Sequence, residues 1–142
     1  MPSIEKLVVR DVIALDEGAT CNEAARLMEQ KHIGSVGVKR AGKLVGIVTE
    51  RDLVYRIMAD GAPGTKTLGE IMRAEIPTVS PNATERDCAH LMRTHFTRHL
   101  LVKQAGEVAG VISMLDVVNL MLEDNRWLIE QLSTYIRGGR GG

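Results

Sequence analysis

Two short motifs hold the residues best placed to do chemistry. Gly46-Ile-Val-Thr49-Glu-Arg-Asp52 and Gly110-Val-Ile-Ser113-Met-Leu-Asp116 share a glycine, two apolar positions, a hydroxyl and, three residues on, an aspartate. That spacing suits a strand-to-helix junction. There the N–H groups of a helix start and the helix dipole favour a phosphate. A carboxylate in the first turn can accept hydrogen bonds from both hydroxyls of a ribose. Gly46 and Gly110 lack side chains, so a ligand or a neighbouring backbone can approach the strand closely. The plainer reading of Thr49-x-x-Asp52 and Ser113-x-x-Asp116 is a pair of helix caps, each stabilising by about 1 kcal/mol. One helix end can serve both purposes.

Arg98-His99 is a second constellation. A guanidinium offers a fork of donors matched to phosphate, and a histidine adds a charge-dependent one. His90, His95 and His99 invite a metal reading, but no cysteine or carboxylate completes a set, so no metal is expected. Cys21 and Cys88 have neither the number nor the spacing of a disulfide framework and read as small apolar helix residues. No nucleophile lies beside a base and an orienting group, so enzymatic activity is not expected.

The elements that must position these groups occur twice. A shift of 64 positions carries Gly46 to Gly110, and also Ala19-Thr20 to Ala83-Thr84, Leu27-Met28 to Leu91-Met92 and Ala41-Gly42 to Ala105-Gly106. One offset held across helix-like, turn-like and strand-like stretches means two copies of one supersecondary unit. Each copy opens with an extended segment, Val12–Leu15 or Ile76–Val79, followed by a turn. Thr20-Cys-Asn-Glu23 and Thr84-Glu-Arg-Asp87 then have the form of a capping box. Two β-rich runs follow in each copy, Ser35–Val38 with Leu44–Val48 and Leu100–Val102 with Val108–Ile112. Each pair flanks a glycine-bearing turn and reads as a hairpin. A second helix begins near Asp52 and near Asp116.

The unit is therefore β-α-β-β-α, with residues 61–67 as the link. The expected divisions are residues 5–62, residues 68–125, and a C-terminal extension over 126–142. Leu128, Leu132, Tyr135 and Ile136 make an apolar stripe on a helix that runs to about Tyr135. The stripe either folds back on the chain's own core or forms a dimer contact. Gly138–Gly142 is expected to be disordered.

The repeated unit, with its glycine, hydroxyl and aspartate motif in both copies, resembles a tandem pair of CBS domains, the regulatory modules named for cystathionine beta-synthase. The resemblance implies a mixed α/β (α+β) fold, with the tandem repeats packed about a pseudo-twofold axis. It also implies a nucleotide between them, with Asp52 or Asp116 on ribose and Thr49 or Ser113 near phosphate. Arg51, Arg98 and His99 would add donors, and Ile47, Ile112, Thr78, Gly46 and Gly110 would complete the set. The adenosine preference (AMP, ADP or ATP, exchangeable rather than tightly bound) comes from the resemblance alone. NAD or S-adenosylmethionine would satisfy much of the same reasoning. The two clefts should be unequal, because the shift maps Arg98-His99 onto Gly34-Ser35 and Glu50-Arg51 onto Met114-Leu115.

Composition narrows the classes. A net charge of +0 and 3% aromatic residues argue against nucleic-acid binding, which leans on basic surfaces and base stacking. No apolar stretch approaches the roughly 20 residues that span a bilayer. Met1–Lys6 lacks the layout of a secretory signal, so a cytoplasmic location is expected. The expected function is a ligand sensor, homodimeric, that signals to a separate effector protein. The alternative is an adaptor dimer with degenerate clefts.

Overall fold

The computed structural model describes residue 4, residues 12–73 and residues 75–141. It contains two three-stranded sheets. The first orders β1 (Ala14–Asp16), β2 (Ser35–Arg40) and β3 (Lys43–Thr49); the second orders β4 (Thr78–Val79), β5 (His99–Gln104) and β6 (Glu107–Ser113). In each sheet the first strand runs parallel to the second, and the second pairs antiparallel with the third. A parallel pair needs a crossover. Here α1 (Cys21–Lys31) and α4 (Glu85–Thr94) supply it.

Both crossover helices start as their sequences demand. The Thr20 hydroxyl accepts the Glu23 N–H while Glu23 reaches back to Thr20, and Thr84 and Asp87 repeat the arrangement. Both helices also end alike, on His32 (φ 54) and Phe96 (φ 51) just beyond, each in the left-handed region. The two hairpins turn on Ala41-Gly42 and Ala105-Gly106, all four with positive φ. Such turns match the right-handed twist of the strands they join.

Two aliphatic cores lie between each sheet and its helices. Val36, Val38 and Val48 pack with Ala24 and Met28 in the first, and Leu100, Val102 and Ile112 with Cys88 and Met92 in the second. The cores do not respect the boundaries of the sequence repeats. Leu68 and Ile71, on the short helix α3 (Leu68–Ile71), are buried in the core of the first repeat, whereas Ile4 is buried in the core of the second. Ile4 and Leu68 are 64 positions apart. Their bonds correspond too, since Leu68 N–H donates to Ala19 C=O and Ile4 N–H donates to Ala83 C=O. Each repeat thus lends its leading segment to the other.

The segment expected as a simple link, residues 61–67, is instead strapped to the first repeat. Cys21 N–H donates to Lys66 C=O and Asn22 N–H to Gly64 C=O. Between the sheets, Lys43 Nζ meets Glu107 Oε1 at 3.0 Å. These two residues are also counterparts under the shift, so a pseudo-twofold axis passes between them.

Further differences lie at the helix ends, and one of the two alternatives for the C-terminal stripe falls away. The helices after the motifs begin earlier than expected, at Glu50 for α2 (Glu50–Leu53) and at Met114 for α5 (Met114–Gly141). A π-helical turn, Val54–Met58, follows α2 directly. The C-terminal stripe does not fold back. Leu128, Leu132 and Ile136 are about half exposed on α5, because no Gly or Pro interrupts residues 114–137 to turn the chain. The Tyr135 side chain lies outside the described residues. The helix also continues past Tyr135 to Gly141, where disorder was expected. Once nucleated, a helix gains one backbone bond per added residue.

Candidate functional site

Both motifs sit at the end of the second hairpin strand, β3 or β6, where the chain turns into a helix. At each junction the first helical N–H is already used. Glu50 N–H donates to Gly34 C=O (2.9 Å), and Met114 N–H donates to Arg98 C=O (2.7 Å). The cap bonds follow. Asp52 N–H donates to the Thr49 hydroxyl (3.2 Å), and Asp52 Oδ2 accepts the Thr49 N–H (2.9 Å) and hydroxyl (3.0 Å). Ser113 N–H donates to Asp116 Oδ2 (2.9 Å), and Asp116 N–H donates to Ser113 Oγ (3.1 Å). Both motifs are therefore caps. The N–H groups of Met114 and Asp116 are committed within the fold, so a phosphate near α5 depends more on side chains than the dipole argument alone suggested.

The second motif opens on a cavity of about 770 Å³ between the repeats. Its lining includes apolar Ile13, Ile33, Ile47 and Val111 and polar Glu50, Arg98, His99, Ser113 and Asp116. Gly37 lies on the same lining, and a Cβ there would come within 2.7 Å of Leu44 Cδ1 and 2.9 Å of Val12 Cγ1, so a larger residue requires those side chains to shift. Its counterpart in the second repeat is Leu101.

The first motif faces a much smaller cavity of about 100 Å³, lined in part by Thr49, Arg51, Thr97, Arg98 and His99. Thr49 and Asp52 are buried, at 4% and 7% exposure. Arg73 Nε lies 3.4 Å from Asp52 Oδ1. That separation is an ion-pair contact without hydrogen-bond geometry, and Nε makes no hydrogen bond among the described residues. The same guanidinium donates from Nη1 to Thr97 Oγ1 at 3.1 Å.

His99 belongs to both cavities. Its backbone is fixed by Thr97, whose hydroxyl accepts the His99 N–H and donates to the His99 C=O. Its Nδ1 is buried without a hydrogen-bond partner among the described residues. Burial first, then the Arg73 and Arg98 charges, hold the imidazole below its ordinary pKa, against the pull of Asp116 and Asp52. The neutral ring is therefore favoured.

Ile47, Arg98, His99, Ser113 and Asp116 are brought together around the large cavity, and Thr49 and Arg51 around the small one. Four other candidates are placed differently. Ile112 is fully buried in the second core. Strand side chains alternate, so Val111, the true counterpart of Ile47, takes the cleft position. Gly46 faces Met72, with a would-be Cβ 3.3 Å from its sulfur, and makes room for the α3 segment rather than a ligand. Gly110 is buried opposite Val102 in the strand pair. Thr78 is exposed and lines a separate groove with Lys39 and Lys103. Ile13, Ile33, Gly37 and Thr97 were missed, as was Arg73. Applying the shift to Ile47 finds Val111, but nothing local marks Arg73.

The thiols are not poised for chemistry. Burial, then Asp87, pushes Cys88 up to about 11, and burial, then Glu70, raises Cys21. Among the described residues no group of His, Cys, Asp or Glu could hold a metal ion, and no helix is long and apolar enough to cross a membrane.

Two repeats that exchange leading segments across a pseudo-twofold axis, with a cleft at each strand-to-helix junction, define a paired-repeat module. The CBS domain family matches twice, at residues 4–59 and 68–123, and the chain belongs to that family. It is 30% identical over 126 residues to the CBS domain-containing protein YhcV of Bacillus subtilis, covering 88% of this chain and 90% of that one. Among solved structures it resembles a putative signal-transduction protein with CBS domains from Burkholderia ambifaria. The TM-score there is 0.80 at 28% identity, over 87% of this chain and 96% of that one. A hexameric CBS-CP12 protein from bloom-forming cyanobacteria is also similar, with a TM-score of 0.71 at 27% identity over 83% and 70% of the two chains. Stand-alone CBS-domain proteins are regulatory ligand-binding modules rather than catalysts.

Proposed function

We propose that this protein is a regulatory sensor that binds an adenosine nucleotide (AMP, ADP or ATP), exchangeably, in the cleft bounded by Ser113 and Asp116. The observation that carries this reading is the cleft itself. Its lining combines apolar Ile13, Ile33, Ile47 and Val111 with Asp116, Arg98 and His99. A flat base fits the apolar residues, a ribose diol fits the carboxylate, and phosphates fit the guanidinium and imidazole. Both repeats contribute, so a bound nucleotide favours one relative arrangement of the two. A ligand shifts an equilibrium only by its differential affinity for two states. The bias then passes to a separate effector protein.

The exposed apolar side of α5, including Trp127, Leu128 and Leu132, supports a homodimer, and the hexameric cyanobacterial neighbour supports assembly. The same features favour the second reading, an adaptor that acts through α5. The cytoplasm is the compartment in which such a sensor meets free nucleotides.

The test is thermal unfolding with millimolar AMP, ADP, ATP, NAD and S-adenosylmethionine. Ligand at 100 times its Kd stabilises by about 2.7 kcal/mol. An adenosine nucleotide should raise Tm, with the rise lost in Asp116→Ala. No protection by any adenosine nucleotide, from a folded protein, leaves the adaptor reading as the better one.

A further inference from the structure

The two cavities are the same site seen twice. Apart from Arg73, the described residues lining the small cavity are counterparts, 64 positions away, of residues lining the large one: Thr49 for Ser113, Arg51 for Leu115, Thr97 for Ile33. Yet one measures about 770 Å³ and the other about 100 Å³. Arg73 alone among the lining residues of the small cavity maps, under the shift, onto a position outside the described residues, Val9.

We propose that Arg73 is a built-in occupant of the first cleft, standing where a ligand would sit and leaving each chain with one nucleotide site. The inference rests on the nucleotide reading above for the identity of the excluded ligand, but not for the closure. Arg73 follows α3, on the segment that packs into the first core, and its side chain reaches across to both repeats. It faces Asp52 Oδ1 at 3.4 Å and donates to Thr97 at 3.1 Å. Thr49 already holds Asp52 Oδ2. Both carboxylate oxygens are therefore engaged, and a ribose diol arriving at Asp52 must displace a guanidinium. A buried carboxylate that loses its cation is left uncompensated, so exchange for a neutral diol is unfavourable. The arginine is thus a specificity device: it converts a duplicated site into a single one.

The closure is tested in two ways on the full chain. Calorimetric titration of the wild type with ATP should give one site per chain; two sites of similar affinity overturn the proposal. Independently, methylguanidinium should refill the gap in Arg73→Ala and raise its Tm by about 2 °C or more. It should not do so in the wild type or in Arg73→Ala/Asp52→Asn. An equal response in all three proteins overturns the proposal. Should Arg73→Ala fail to fold, side-chain NMR of the wild type decides. The Arg73 Nη–H groups, one of which donates to Thr97, should exchange slowly with solvent and lose that protection in Asp52→Asn, whereas fast exchange in the wild type contradicts the closure. If no nucleotide binds the wild type, the nucleotide reading fails, and the methylguanidinium result alone settles the role of Arg73.

Discussion

His99 shows how much one side chain's surroundings decide. It lines both cavities, within electrostatic reach of Arg73, Arg98, Asp52 and Asp116, with Nδ1 buried and without a hydrogen-bond partner among the described residues. Its pKa is lower in the fold than in the unfolded chain. Between those two values the unfolded state holds more protons, so stability rises with pH there. The contribution is fully present above the ordinary histidine value of about 6.5 and is lost as pH falls below it. His99→Gln should flatten that part of the stability curve between pH 7 and 5, as read by urea melts across the range. An unchanged acid-side slope would show that other groups set it. At this scale the sequence was only half legible. Asp116 and Arg98-His99 stand out by type and spacing, whereas only the resemblance points to Ile112, and its strand parity turns it into the core. Arg73 lies 21 residues from Asp52 and 24 from Thr97, and only the folded path of α3 brings the three together.

The elements were more legible because their signals are local. Capping boxes, left-handed turn residues and alternating apolar runs each specify a backbone conformation within a few residues. The Thr20 cap is the simplest case. Thr20→Ala removes the acceptor for the Glu23 N–H and should cost about 1 kcal/mol in a denaturant melt. A loss below the error of the melt would mean that the strap from residues 61–67 holds α1 by itself. The π-helical turn after α2 was not legible, since it does not change the apolar period enough to be seen, and α5 was legible to about Tyr135 but not in its last residues, where the glycines suggested disorder. The exposed side of α5 has a direct consequence. Ending the chain after Asn125 removes Trp127, Leu128, Ile129, Leu132 and Ile136. Sedimentation should then show a shift from dimer to monomer with nucleotide binding retained. A truncated chain that still sediments as a dimer would place the contact elsewhere.

The whole molecule is bound together by exchange. Because Leu68 completes the first core and Ile4 the second, neither repeat is a self-sufficient unit. The repeat in the sequence shows that two copies exist, but not which copy's leading segment fills which core, because both arrangements bury the same residues. Leu68→Ala should cost about 2–5 kcal/mol and lower a single calorimetric transition. A split into two separate transitions would contradict the shared cores.

The central claim is that one cleft, at Ser113 and Asp116, receives an adenosine nucleotide. The most direct measurement is calorimetric titration of the wild type and Asp116→Ala with AMP, ADP and ATP. The expected result is saturable binding of at least one nucleotide to the wild type, weakened tenfold or more in the variant, which corresponds to about 1.4 kcal/mol or more. Equal affinity in both proteins, or no binding to a correctly folded wild type, would contradict it.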